Sequence, residues 1–185
     1  MKSFAFSDYI SSKELKLFRE SHGLSRKQMA DLLNVSIRTL EGYEIADKKI
    51  TGPIVTLFRL LKEYPELIDK YRVPSQVYPL RLYYMEKDNI NTVIDVNMIN
   101  RKVSFKNFTS NILARAFGNK EEATYEDFED FLKSRCFPPS RDKLKIELEK
   151  LNIPFYDPLL IIEKTKGRMA DDDYYIEIVR GIDND

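Results

Sequence analysis

The chain has one cysteine, Cys136, and one histidine, His22, among its 185 residues. A lone cysteine excludes an internal disulfide and suits a reducing compartment. One cysteine and one histidine cannot build a His/Cys zinc site within one chain. Long apolar runs are missing as well. The longest, PLLII at 158–162, falls far short of the ~20 residues that a bilayer span needs. The N-terminus, MKSFAFSDYISSKE, holds no apolar stretch of signal-peptide length. A cytoplasmic protein with no membrane contact is therefore expected. Net charge is also absent: 30 basic residues balance 30 acidic ones. That argues against a protein that coats nucleic acid by bulk charge. There is no P-loop, no glycine-rich phosphate loop and no kinase catalytic-loop motif. No enzyme, catalytic residue, cofactor or metal site is expected.

What is present describes a folded protein. Hydrophobic residues make up 43% of the chain and charged residues 32%, enough for a core and too apolar for disorder. The length permits one or two domains. Charge is unevenly spread. Residues 1–72 hold 13 Lys and Arg against 10 Asp and Glu, a net of +3, and the remainder carries −3. A mildly basic head on a mildly acidic body suits a DNA reader attached to a second function.

Periodicity divides the chain in the same place. Apolar residues at helical spacing, broken by caps, predict helices over 12–22, after Ser25, after Ser36 and from Pro53, with a short fifth turn at PELIDKY. Leu15, Phe18 and Leu17 supply the buried face of the first, and Gly23 stops it. Met29, Ala30, Leu32 and Leu33 face inward from the second, Leu40 and Tyr43 from the third, and Val55, Leu57, Phe58, Leu60 and Leu61 from the fourth. Asn34 stands where the turn needs a positive φ. The predicted fold class is α+β: an all-α bundle over 1–72, a linker over 73–78 opened by VPSQ, and a small α+β domain over 79–185. In that domain PLRLYYM, NTVIDVNMI and KVSFKNF predict a three-stranded meander with turns at 87–89 and 100–101. Helices follow over 112–117, 125–133, 141–151 and 159–164, the third with Leu144, Ile146, Leu148 and Leu151 on its apolar face, and YYIEIV at 174–179 is a last strand.

The segment Leu24–Glu44, LSRKQMADLLNVSIRTLEGYE, is the most informative. Two short helices joined by a tight turn form the layout that places a recognition helix in the DNA major groove. Once Leu40 and Tyr43 turn inward, Ser36, Ile37, Arg38, Thr39 and Glu41 are left on the outer face of the third helix. Arg38 can pair bidentately with guanine, Ile37 can rest on a thymine methyl and Glu41 can accept from a cytosine amine. Ser25, Arg26 and Lys27 open the second helix, where backbone amides favour a phosphate. Lys48 and Lys49 follow the third helix and would meet the flanking backbone. Capping alone fully explains Ser25 and Ser36, and Glu41 serves equally well as a solvated acid. A bundle kept only as a protein-docking module is the competing explanation.

Leu24, Ser25, Met29, Ala30, Leu33, Val35, Ser36, Thr39, Leu40, Tyr43 and Glu44 give this region a resemblance to the Cro/repressor-type (XRE) helix-turn-helix family. The tail ITGPIVTLFRLLKEYPEL is similar to the ending common in antitoxin-type members, such as those paired with RelE-like toxins. The resemblance spans roughly residues 12–70. It departs from the family at Arg26, where Gln is usual, and at Asn34 and Ala46, where Gly is usual. It implies a homodimer on double-stranded operator DNA, acting either as a transcriptional regulator or as an antitoxin that neutralises a toxin and regulates its own operon.

The second domain carries Arg135, Pro138, Arg141, Asp157, Pro158, Thr165, Gly167 and Asp172. Through these it is similar to small mobile-element proteins found beside kinase-type toxins of the HipA kind. Arg135 and Arg141 are its candidate partner-binding residues. The run Asp171–Asp173 reads as solvated rather than metal-binding, because adjacent acids point apart on any regular element. Cys136 has no base within the same domain. Tyr78, Tyr83, Tyr84, Phe105 and Phe108 read as sheet core. The expected role of residues 79–185 is dimerisation or partner contact.

Overall fold

A computed structural model describes residue 5 and residues 7–45 and 47–181. The first residues of the chain and Ala46, with its departure from the family pattern, lie outside them. The chain forms two compact units that divide between Arg72 and Val73. The fold is α+β.

In the first unit, α1 (Ser12–Ser21), α2 (Arg26–Leu32), α3 (Ile37–Tyr43), α4 (Pro53–Glu63) and α5 (Glu66–Tyr71) surround one core. Local chemistry sets each boundary. Ser11 caps α1 by accepting the Glu14 amide, and Gly23 takes φ +60 beyond its end. Ser25 and Gln28 form a reciprocal capping box on α2. Asn34 adopts φ 52, and the Val35 amide bonds back to the Ala30 carbonyl at 2.9 Å. That tight reversal aims α3, whose N-cap is Ser36. Pro53 opens α4 at a position where a missing amide costs nothing. Leu15, Met29, Ala30, Leu40 and Phe58 are fully buried.

Three expectations need correcting. The unit is not all-α: β1 (Tyr9–Ser11) pairs antiparallel with β2 (Lys49–Thr51), joining Ile10 to Ile50. Pairs this short and this far apart in sequence leave no periodic signal. Leu17 is 55% exposed and Leu60 41%, because α1 and α4 each bury a single stripe and these residues lie outside it.

The second unit has one sheet and one layer of helices. Strands β3 (Leu80–Glu86), β4 (Asn89–Asn97), β5 (Lys102–Asn107) and β6 (Tyr174–Arg180) are antiparallel in the order β5-β4-β3-β6. The meander is as expected, and the last strand adds itself beside the first. Leu80, Leu82, Tyr84, Ile94, Val96 and Ile176 pack against α6 (Tyr125–Ser134), α7 (Leu144–Lys150) and α8 (Pro158–Thr165). Phe128 of α6 and Ile161 and Ile162 of α8 are the deepest helical residues. Tyr84 and Phe105 belong to this core, and Tyr83 points to the other face.

Here too the structure departs from the sequence reading. Residues 112–117 make only a 3-10 turn, Ile112–Ala114. The helix expected from Arg141 begins at Leu144, because Lys143 takes a left-handed φ of 62. Ile146, expected inside, is 47% exposed. The segment read as a linker is bound to the second unit. Arg81 and Asp95 form a buried bidentate ion pair on the outer sheet face, with bonds of 2.6 and 2.7 Å. Both also bond to that segment: Arg81 donates to the Pro74 carbonyl at 2.9 Å, and Asp95 accepts the Val77 amide at 2.9 Å.

Candidate nucleic-acid interface

The surface of α3 is built by subtraction. Leu40 is fully buried and Tyr43 half-buried, which fixes the helix's rotation. Ser36, Ile37, Arg38, Thr39 and Glu41 then face solvent, with Ile37 45% exposed. Such a surface offers a guanidinium, an apolar methyl group and a carboxylate acceptor on one short helix, the functional groups that distinguish base edges in the major groove. Ser36 and Thr39 are partly committed. The Ser36 hydroxyl oxygen accepts the Thr39 amide at 3.0 Å and shares a 2.8 Å hydrogen bond with the Thr39 hydroxyl. Their first role is therefore to cap α3.

At the start of α2, Ser25, Arg26 and Lys27 are all exposed. The Ser25 oxygen accepts the Gln28 amide, and the Ser25 amide donates to Gln28 Oε1. Arg26 is not a free cation: its Nε donates to Glu44 Oε2 at 3.0 Å. The rest of its guanidinium stays at the surface, where the side chain is 53% exposed.

Glu44 is the functional residue whose role the sequence reading missed. Its side chain is 4% exposed and sits between two arginines. Arg19, from the buried face of α1, donates Nε to Glu44 Oε1 at 2.5 Å and Nη2 to Oε2 at 3.3 Å. The same guanidinium donates Nη1 to the Leu24 carbonyl at 3.1 Å. One carboxylate thus joins α1, the N-terminus of α2 and the end of α3. Burial pushes the Glu44 pKa up, but the hydrogen bonds from Arg19 and Arg26 outweigh it and hold the pKa below the usual carboxylate value. The hydrogen bond to Glu44 raises the Arg19 pKa. A signal was present in the sequence: an arginine next to Phe18 and four residues after Leu15 occupies an apolar stripe and requires a buried acid.

A second junction holds the loop after α3. The Ser12 hydroxyl donates to the Lys48 carbonyl at 2.8 Å and accepts the Lys48 amide at 3.0 Å, and the Ser12 amide reaches the same carbonyl at 3.1 Å. The backbone of Lys48 is therefore fixed while its side chain is exposed. Lys49, one residue on in β2, lies over the Tyr9 ring at 4.6 Å. The fold thus brings the predicted residues of α2, α3 and the 48–49 segment into one unit held by Glu44 and Ser12.

The two candidates in the second unit fare differently. Arg135 is buried and turned inward. It donates to the Gly167 carbonyl at 3.0 Å, to both oxygens of Asp172 at 2.6 and 3.0 Å, and to the Tyr174 carbonyl at 3.1 Å. With its donors used internally it joins α6 to β6 and offers no partner a free guanidinium, which corrects the expectation. Gly167 takes φ +60, and a Cβ there would lie 3.3 Å from both Arg135 and Ile176, so the junction favours glycine. Arg141 is exposed, near the Phe137 ring. Cys136 is buried, and burial pushes its thiol up to about 12. Among the described residues, no helix is long and apolar enough to cross a membrane.

Part of this chain is similar to an antitoxin. Over 59 residues it is 39% identical to Antitoxin HigA-2 of Vibrio cholerae serotype O1, a match covering 32% of this chain and 57% of that protein. The chain thus spans a little over half the length of that relative. No family model matches the chain.

Proposed function

We propose that this protein is a cytoplasmic, dimeric DNA-binding regulator that reads an operator by laying α3 in the major groove. The observation that carries this is the division of α3 into an inward side, Leu40 and Tyr43, and an exposed side of Ile37, Arg38, Thr39 and Glu41. Ile37, Arg38 and Glu41 read bases, with Thr39 beside them. Lys27, Lys48, Lys49 and the outer nitrogens of Arg26 hold phosphates, which set register and affinity without reading sequence. Pairing two heads on a two-fold site supplies the contacts that one small head lacks. No chemical step is assigned to the chain. Genome-wide mapping of bound DNA identifies the site, and Arg38→Ala then tests the reading face. The variant loses ~1–3 kcal/mol of discrimination, roughly 5- to 150-fold, with an unchanged melting curve. Operator affinity equal to wild type would refute the face.

The similarity to an antitoxin supports a second role. Here the second unit would hold a toxin, and DNA binding would serve autoregulation. Co-expression with the neighbouring gene tests this: relief of that gene's toxicity supports it, and a harmless neighbour counts against it.

A further inference from the structure

Strand β6 ends the sheet, and half of its backbone groups turn away from β3. Asp173 accepts the Lys87 amide, and the Gly181 amide donates to the Pro79 carbonyl at 2.8 Å, so the odd-numbered residues face β3. The even-numbered ones face outward. Ile176 donates its amide to the Lys166 carbonyl at 2.7 Å, and the Tyr174 carbonyl accepts from Arg135. Beyond them, the amide and carbonyl of Ile178 and the amide of Arg180 have no partner among the described residues. Such a row is a template for another strand. The other edge, β5, reads KVSFKN, and lysines on an edge discourage pairing. β6 reads YYIEIVR.

Helix α8 runs beside this edge. Glu163 pairs with Arg180, and Lys166 approaches Glu177 at 3.9 Å. Between helix and strand lies a groove of about 570 Å³, walled by Ile162, Ile176, Ile178 and Val179. Along the strand, Glu163 and Lys166 therefore fall on opposite sides of Ile178.

We propose that β6 pairs antiparallel with β6 of a second copy, about a two-fold axis through Ile178. This rests on the dimeric reading above and names its interface. The register follows from the outward groups. Each Ile178 exchanges its amide and carbonyl with the other Ile178, and each Arg180 amide reaches the Ile176 carbonyl of the other copy. Glu177 then lies opposite Val179. Moving the axis to Glu177 would set two carboxylates face to face, which is unfavourable. The charges on α8 are self-complementary about the same axis, because Glu163 of one copy meets Lys166 of the other. Gly181, at φ +96, turns the chain at the end of the paired segment. An isologous contact of this kind closes at two copies.

Sedimentation equilibrium of the full chain, combined with hydrogen exchange at the Ile178 amide, tests the proposal. The expected result is a dimer in which that amide is protected, and loss of protection on dilution to the monomer. Ile178→Pro removes the outward donor, leaves the bonds to β3 in place and raises the dimer Kd at least about tenfold. Glu163→Lys weakens the dimer, and adding Lys166→Glu restores it. A dimer whose Ile178 amide exchanges as fast as an exposed one refutes the interface and leaves the dimeric reading standing. So does a folded Ile178→Pro chain that dimerises like wild type. A chain that is monomeric at every concentration refutes both. If Ile178→Pro does not fold, the exchange measurement on the wild-type chain decides.

Discussion

Both units bury arginine–carboxylate pairs, but they put them to different uses. In the first unit Arg19 and Glu44 hold three helices together from beneath, and the polar residues of α3 stay at the surface. In the second, Arg81 with Asp95 and Arg135 with Asp172 consume the most conspicuous polar residues in internal junctions. A charged residue that stands out in sequence can be an internal brace rather than a binding group, as Arg135 is. What distinguishes the two is whether the surrounding apolar period leaves it on a buried face. Arg38 falls outside that period, whereas Arg19 and Arg135 fall within it.

The largest effects should come from removing one member of a buried pair. Asp95→Ala strands Arg81, whose side chain is 6% exposed, and should destabilise the second unit by ~3–5 kcal/mol. Glu44→Ala strands Arg19 and should destabilise the first unit comparably. Hydrogen exchange resolved by residue measures both. If either change unfolds both units equally, they do not fold independently and the contrast drawn above fails.

A smaller effect concerns pH. Because Glu44 has a lower pKa in the folded unit than in the unfolded chain, its stabilising contribution is complete above the ordinary carboxylate value. It is lost as pH falls through the depressed folded value. Acid titration of the first unit, followed by circular dichroism, should show this loss, and Glu44→Gln should remove that part of the pH dependence. An unchanged acid profile in Glu44→Gln would show that the carboxylate's charge is not what the junction uses.

The smallest effect should appear at Lys48, whose backbone is structural and whose side chain is exposed beside the Tyr43 ring. Lys48→Ala should leave stability within ~0.5 kcal/mol. On the DNA-binding reading it should weaken binding evenly across sequences and lower the salt slope by about 1. A sequence-dependent loss would move Lys48 from phosphate contact to base reading.

The first unit was legible where its signals are local. Ser25, Ser36, Asn34 and Pro53 each specify a boundary by their own chemistry, and each boundary stands where the sequence places it. The pairing of Tyr9 with Thr51 was illegible, because it depends on closing a long loop around a strand of three residues. The meander was legible through its alternation, and the position of β6 beside β3 was not, since register across a long connection leaves no mark in either strand. The exposed face of α3 followed from which residues the core claims. The brace beneath it did not, because Arg19 and Glu44 are far apart in sequence.

The Ser12–Lys48 junction has a further consequence. It joins positions 36 residues apart, and every residue proposed to read a base lies between them. The surface is therefore the interior of a closed loop, and the entropy of closure is lost once for the whole surface. Opening the clasp together with the Glu44 brace should release α2 and α3 as one cooperative unit, not helix by helix. A duplex that binds only the closed loop would, by mass action alone, hold the clasp shut.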